Sequence, residues 1–107
     1  MQAAERRQSE GREMIEARIN VSGSVQGVGY RSFCKHVADH VGVKGLAHNL
    51  RDGSVEVVAQ GTHDQVDEFV RELEDRKPLW ADVKEVKVLE KRKLGAGENT
   101  FIFFEIH

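Results

Sequence analysis

One cysteine and one proline occur in 107 residues, and both scarcities exclude something. Cys34 has no partner for an internal disulfide, so the fold must stand on its apolar core. An unpaired thiol also fits a reducing compartment. Pro78 and the ten glycines serve as punctuation, too sparse for a proline-rich or low-complexity segment. No apolar run approaches the ~18 residues that a membrane helix needs. Met1–Glu13 is polar and lacks the apolar centre of a signal peptide. The expectation is a cytoplasmic protein that engages no membrane. Charge of one sign is missing too. The formal net charge is −2, which gives no bulk attraction for nucleic acid. Any anion site must come from local geometry.

What is present suits one domain. Hydrophobic residues make up 39% and charged residues 32%, a soluble balance that can close a single core. Residues 1–13 carry too few apolar side chains to offset ordering entropy and are expected to form a flexible extension. Residues 14–107 are expected to form the domain. Ile15, Ala17, Ile19 and Val21 alternate with polar neighbours, as in a half-buried strand. SGSVQGVGY follows as a glycine-bearing loop. Tyr30, Phe33, Cys34, Val37, Ala38 and Val41 then fall on one face of a helix at about 29–41, with Gly42 as its terminator. Strands at 43–50 and 54–60 flank Asp52-Gly53, a hairpin signal. Thr62 and Gln65 form a capping box for a second helix. Its buried stripe is Val66, Phe69, Val70 and Leu73, and Pro78 ends it. Residues 82–91 alternate loosely around Val86 and Val88. A last strand is predicted at 100–106, with Ile102, Phe104 and Ile106 on one face. The order predicts an α+β, ferredoxin-like βαββαβ sandwich. Its antiparallel sheet carries two helices on one face and a short fifth C-terminal strand.

The loop before the first helix holds the most chemical information. Gly23, Gly27 and Gly29 permit positive φ and let backbone N–H groups converge. The helix N-terminus adds unsatisfied donors and partial positive charge. Arg31 supplies a planar fork of donors matched to phosphate. The G-x-x-x-G-x-G spacing is neither that of a P-loop nor that of a dinucleotide fold. These residues alone leave two readings open, an anion cradle and a tight structural turn.

Gly23-Ser24-Val25-Gln26-Gly27-Val28-Gly29-Tyr30-Arg31 resembles the signature loop of the acylphosphatase family, G-x-V-Q-G-V-x-F/Y-R. Gly45-Leu46-Ala47-His48-Asn49-Leu50-Arg51-Asp52-Gly53-Ser54-Val55-Glu56 resembles the family's second segment, and Pro78-Leu79-Trp80-Ala81-Asp82-Val83 its stretch after the second helix. The likeness covers roughly residues 15–107. Leu46 departs from it, standing where many members carry an aromatic.

The resemblance implies hydrolysis of the carboxyl-phosphate bond of small acyl phosphates, without metal or organic cofactor. It implies that Arg31 binds substrate and that Asn49 orients the attacking water. The backbone of Gln26, Gly27, Val28, Gly29, Tyr30 and Arg31 would hold the phosphate oxygens. The expected working form is a monomer whose site also admits inorganic phosphate or another anion. The rival reading is a non-catalytic phosphate- or carbamoyl-phosphate-binding or regulatory module of the same fold.

Other residues take plainer roles. His36 and His40 are four apart but on a polar face with no third ligand, so no metal is expected. Cys34 lies in the apolar stripe and reads as a core residue. Asp52 reads as a turn residue, and Lys91-Arg92-Lys93 as a solvated strand end. His48 is given no role. Phe101 and Phe103 face away from Ile102, Phe104 and Ile106, either over the helix-free side of the sheet or as a contact surface. An RNA-binding sheet needs aromatic motifs that are absent here, so no nucleic-acid partner is expected.

Overall fold

The computed structural model describes residues 13–107. Of the extension expected at 1–13, only Glu13 falls within them. Its carboxylate meets His63 Nε2 at 3.1 Å and Lys93 Nζ at 3.2 Å. The chain forms β1 (Met14–Ser24), α1 (Tyr30–Val41), β2 (Lys44–Asn49) and β3 (Val55–Thr62). It continues through α2 (His63–Asp75), β4 (Asp82–Lys93) and β5 (Phe104–Ile106). The five strands lie in the order β4-β1-β3-β2-β5. All neighbours are antiparallel except β2 and β5, which run parallel. This is the ferredoxin-like arrangement, with a short extra strand on the β2 edge.

The helices follow their sequence signals closely. On α1 the buried residues are Tyr30, Cys34, Val37 and Ala38, with Phe33 and Val41 packed at the margin. Gly42 ends it at φ 99°, and its N–H bonds the Ala38 carbonyl. On α2 the capping box forms as expected: Gln65 N–H donates to Thr62 Oγ1, and Gln65 Oε1 accepts from Thr62 N–H. Val66, Phe69 and Leu73 pack down onto the sheet.

The fourth strand shows why its pattern looked loose. Pairing along β1 slips by one residue between Arg18 and Ile19, and again between Ser22 and Gly23. Each slip leaves one β4 residue, Leu89 and then Lys84, without an opposite number. Bulges of this kind reset the two-residue period. Val83, Val86, Val88, Lys91 and Lys93 consequently share the helix-facing side at uneven spacing. Lys91 Nζ accordingly reaches Asp67 on α2 at 2.9 Å.

The last strand is shorter than expected, because only Phe104–Ile106 pair with the β2 edge. Phe104 is buried against Phe69, with ring centroids 6.0 Å apart. Ile102 is 80% exposed and Ile106 42%, so the three do not form one buried face. Ile102 and Phe103 instead line a shallow cavity with Gly42 and Val43 at the end of α1. The helix-free face carries cross-strand polar pairs. Arg18 bridges Glu56 and Glu90, His48 meets Glu56 at 2.8 Å, and Gln60 and Arg92 share Glu16.

Tyr30 is buried, and its hydroxyl has no hydrogen-bond partner among the described residues. Burial raises the hydroxyl's pKa, and the neighbouring Cys34 raises it further. Burial likewise pushes the Cys34 thiol up to about 12, as suits a core residue rather than a nucleophile. An unsatisfied buried hydroxyl costs about 1 kcal/mol or more. Tyr30→Phe is therefore expected to raise the thermal midpoint by about 4 °C or more. A lower midpoint would mean that the hydroxyl is satisfied in solution.

Candidate active site

β1 extends to Ser24, so the loop proper is only Val25–Gly29. That divides the three glycines. Gly23 belongs to the strand: a Cβ there would lie 2.0 Å from the Asp82 carbonyl oxygen. Its role is close passage of β4. Gly27 (φ 75°) and Gly29 (φ 80°) supply the left-handed turns that curl the loop. A Cβ on Gly27 would meet nothing within 4 Å, so this side of the loop is open.

The loop delivers the chain into α1 with Gly29 at the N-cap. No side chain caps the helix, and its first turn contains no acidic residue. The first backbone bond across the junction runs from Phe33 N–H to the Gly29 carbonyl at 3.1 Å. An uncapped N-terminus of this kind leaves donors and partial positive charge for an anion.

Two contacts join this loop to the β2–β3 hairpin. Gln26 Nε2 donates to the Leu50 carbonyl at 2.6 Å and to the Ser54 carbonyl at 2.8 Å. The Gln26 side chain is thus a structural tie, and only its backbone is free to face an anion. The hairpin is held shut by Asp52, whose Oδ1 accepts from both Ser54 N–H and Ser54 Oγ. The Ser54 hydroxyl, followed by its N–H, holds the Asp52 carboxyl below the usual range. Asn20 Nδ2 donates to the same Ser54 hydroxyl at 2.9 Å, which anchors the turn to β1.

Arg31 lies in the first turn of α1. Its Nη1 donates to the His107 carbonyl at 2.5 Å. His107 N–H in turn donates to the Ala47 carbonyl on β2 at 2.9 Å. Lys35, one turn further on, donates to the Phe104 carbonyl at 3.0 Å. The C-terminal strand therefore acts as a spacer that sets the guanidinium against the end of β2. Asn49 is the last residue of that strand, paired with Val55 and exposed. Its side chain takes part in no hydrogen bond among the described residues. Through Gln26 on one side and Arg31–His107–Ala47 on the other, the loop, Arg31 and the Asn49 end of β2 gather at one end of the sheet.

A sequence model of the family described as acylphosphatase matches residues 17–102. The chain belongs to the acylphosphatase family. The acylphosphatase of Bifidobacterium longum is 44% identical over 75 residues, covering 70% of this chain and 76% of that protein. The acylphosphatase of Moorella thermoacetica is 41% identical over 88 residues, covering 82% and 91%. Among solved structures, Bacillus subtilis acylphosphatase superposes with a TM-score of 0.74 at 31% identity, covering 87% of this chain and 98% of that one.

As an acylphosphatase-family chain, it brings together the loop and the hairpin segment that resembled the family's two motifs. His36 and His40 are both exposed, and no three potential metal-ligating side chains cluster among the described residues. Among the described residues no helix is long and apolar enough to cross a membrane. One feature escaped sequence reasoning: the indole of Trp80 reaches the loop. Its Nε1 lies 3.7 Å from where a Cβ on Gly29 would stand. The antiparallel pairing of Ser24 with Asp82 could have flagged that proximity once β1 and β4 were known to be neighbours.

Proposed function

We propose that the chain hydrolyses acyl phosphates to a carboxylate and inorganic phosphate, and that it does so as a metal-independent cytoplasmic monomer acting on a small molecule. Family membership supports the reaction. The observation that supports the site is the pair of hydrogen bonds from Gln26 Nε2 to the Leu50 and Ser54 carbonyls, because it ties the loop to the end of the strand bearing Asn49.

In this reading the backbone N–H groups of Gln26 to Arg31 and the Arg31 guanidinium hold the phosphoryl oxygens. Asn49 accepts from the attacking water and fixes its direction. The leaving group is a carboxylate of low pKa, so it departs without protonation. Positioning and charge stabilisation are then the main tasks, as in phosphoryl transfer generally. Neither needs a resident metal.

The test is hydrolysis of acetyl, benzoyl and carbamoyl phosphate with a chelator present. Turnover of at least one of these acyl phosphates, undiminished by chelation, is expected. Phosphate binding without any turnover would favour a non-catalytic binding module instead. Turnover lost on chelation would remove the metal-independent mechanism.

A further inference from the structure

Trp80 is the chain's only tryptophan, yet it is 62% exposed. The fold does not use it as core. It is held in place all the same. Pro78 beside it is buried, and Ala81 N–H closes a turn onto the Pro78 carbonyl at 3.2 Å. Asp82 then enters the sheet opposite Ser24, at the foot of the loop. Gly29, which opens α1, has no side chain to separate the loop from the indole edge, and Nε1 stands 3.7 Å from the vacant Cβ position. The result is a large, flat, mostly apolar surface bordering the candidate anion cradle.

We propose that Trp80 is a specificity-determining residue that receives the acyl group and favours acyl phosphates with an aromatic acyl group. The inference rests on the acyl-phosphate reading above. Chemistry gives the reason. With the phosphoryl group in the cradle, the acyl carbon is one bridging oxygen away, so the acyl substituent must lie over whatever borders the loop. An indole face offers apolar area and ring stacking to a benzoyl group and much less to a methyl group. An exposed tryptophan also loses little rotamer freedom when it is covered, having only two side-chain torsions.

The test compares kcat/KM for benzoyl and acetyl phosphate in the wild type, Trp80→Ala and Trp80→Phe. In Trp80→Ala the benzoyl value is expected to fall roughly thirtyfold and the acetyl value about threefold, so the preference drops about tenfold. Trp80→Phe should keep most of the preference. A benzoyl-to-acetyl ratio unchanged within about twofold in Trp80→Ala would overturn the assignment. So would a parallel loss on both substrates, the signature of a merely structural role. Calorimetry with benzylphosphonate and methylphosphonate separates this inference from the hydrolase reading. If the wild type turns over neither acyl phosphate, that reading fails. Trp80 then stands if benzylphosphonate binds at least about fivefold tighter than methylphosphonate and the difference disappears in Trp80→Ala. Equal binding, or no binding, overturns it.

Discussion

Arg31→Ala is expected to lower kcat/KM for benzoyl phosphate by at least about a thousandfold, equivalent to roughly 4 kcal/mol of transition-state stabilisation. The guanidinium has five N–H donors. Its one hydrogen bond among the described residues, to the His107 carbonyl, leaves the remaining donors for the substrate. A charged, bidentate donor acts in both the ground state and the transition state, so KM should rise while kcat falls. Arg31→Lys keeps the charge but loses the fork, and should recover only a small part of the activity. The same substitutions remove the bond to His107. The β5 edge retains the Lys35 bond to the Phe104 carbonyl and the His107 bond to Ala47. The thermal midpoint should therefore fall by only a few degrees, on the scale of one lost hydrogen bond. An Arg31→Ala protein that kept more than a tenth of wild-type kcat/KM would remove Arg31 from the site.

Features that depend on a few adjacent residues were legible before any coordinates. The Thr62/Gln65 capping box and the Asp52-Gly53 turn are of this kind. So is the apolar stripe of α1, whose period lies within one element. β4 was not, because its two bulges answer to pairing with β1. Without the bulge at Lys84, Val83 would fall on the face opposite Val86 and Val88. Thr100–Ile106 has the pattern of a full strand because Ile102, Phe104 and Ile106 alternate onto one face. Only Phe104–Ile106 find an edge to pair with, and hydrophobicity alone does not reveal where a partner strand ends. Gly23 was grouped with the loop glycines on composition. Its actual constraint, the Asp82 carbonyl 2.0 Å from a Cβ position, is tertiary.

The candidate site divides along the same line. By local chemistry Gly27, Gly29 and Arg31 fit an anion cradle and a tight structural turn alike, and the family resemblance is what favours the cradle. Asn49 announces nothing locally. It is an asparagine at a strand end, and only resemblance to the family picked it out. Its relation to the loop runs through Gln26, 24 residues from Leu50 along the chain. That contact exists only after β1, β3 and β2 lie side by side. Trp80 was missed for the same reason, its link to Gly29 depending on the outer strand pair β4–β1.

Asn49→Ala is expected to divide binding from turnover. The backbone at 49 is held by its register with Val55, and the side chain is exposed with no partner among the described residues, so truncation leaves the hairpin standing. The proposed phosphate cradle lies on the other side of the Gln26 tie and should be untouched. The inhibition constant for inorganic phosphate and KM should stay within about twofold, while kcat falls by roughly a hundredfold or more. Effects of that size follow when a positioned polar group is removed from a preorganised site. Asn49→Asp sharpens the point. A carboxylate can still accept from water, and as a base it is the stronger group. It would, however, set a negative charge beside the phosphoryl oxygens. If Asn49 acts by orientation and neutrality, the aspartate variant should be no better than the alanine variant and should bind phosphate more weakly. A more active aspartate variant would make residue 49 a general base instead. An alanine variant with wild-type kcat would place the water elsewhere.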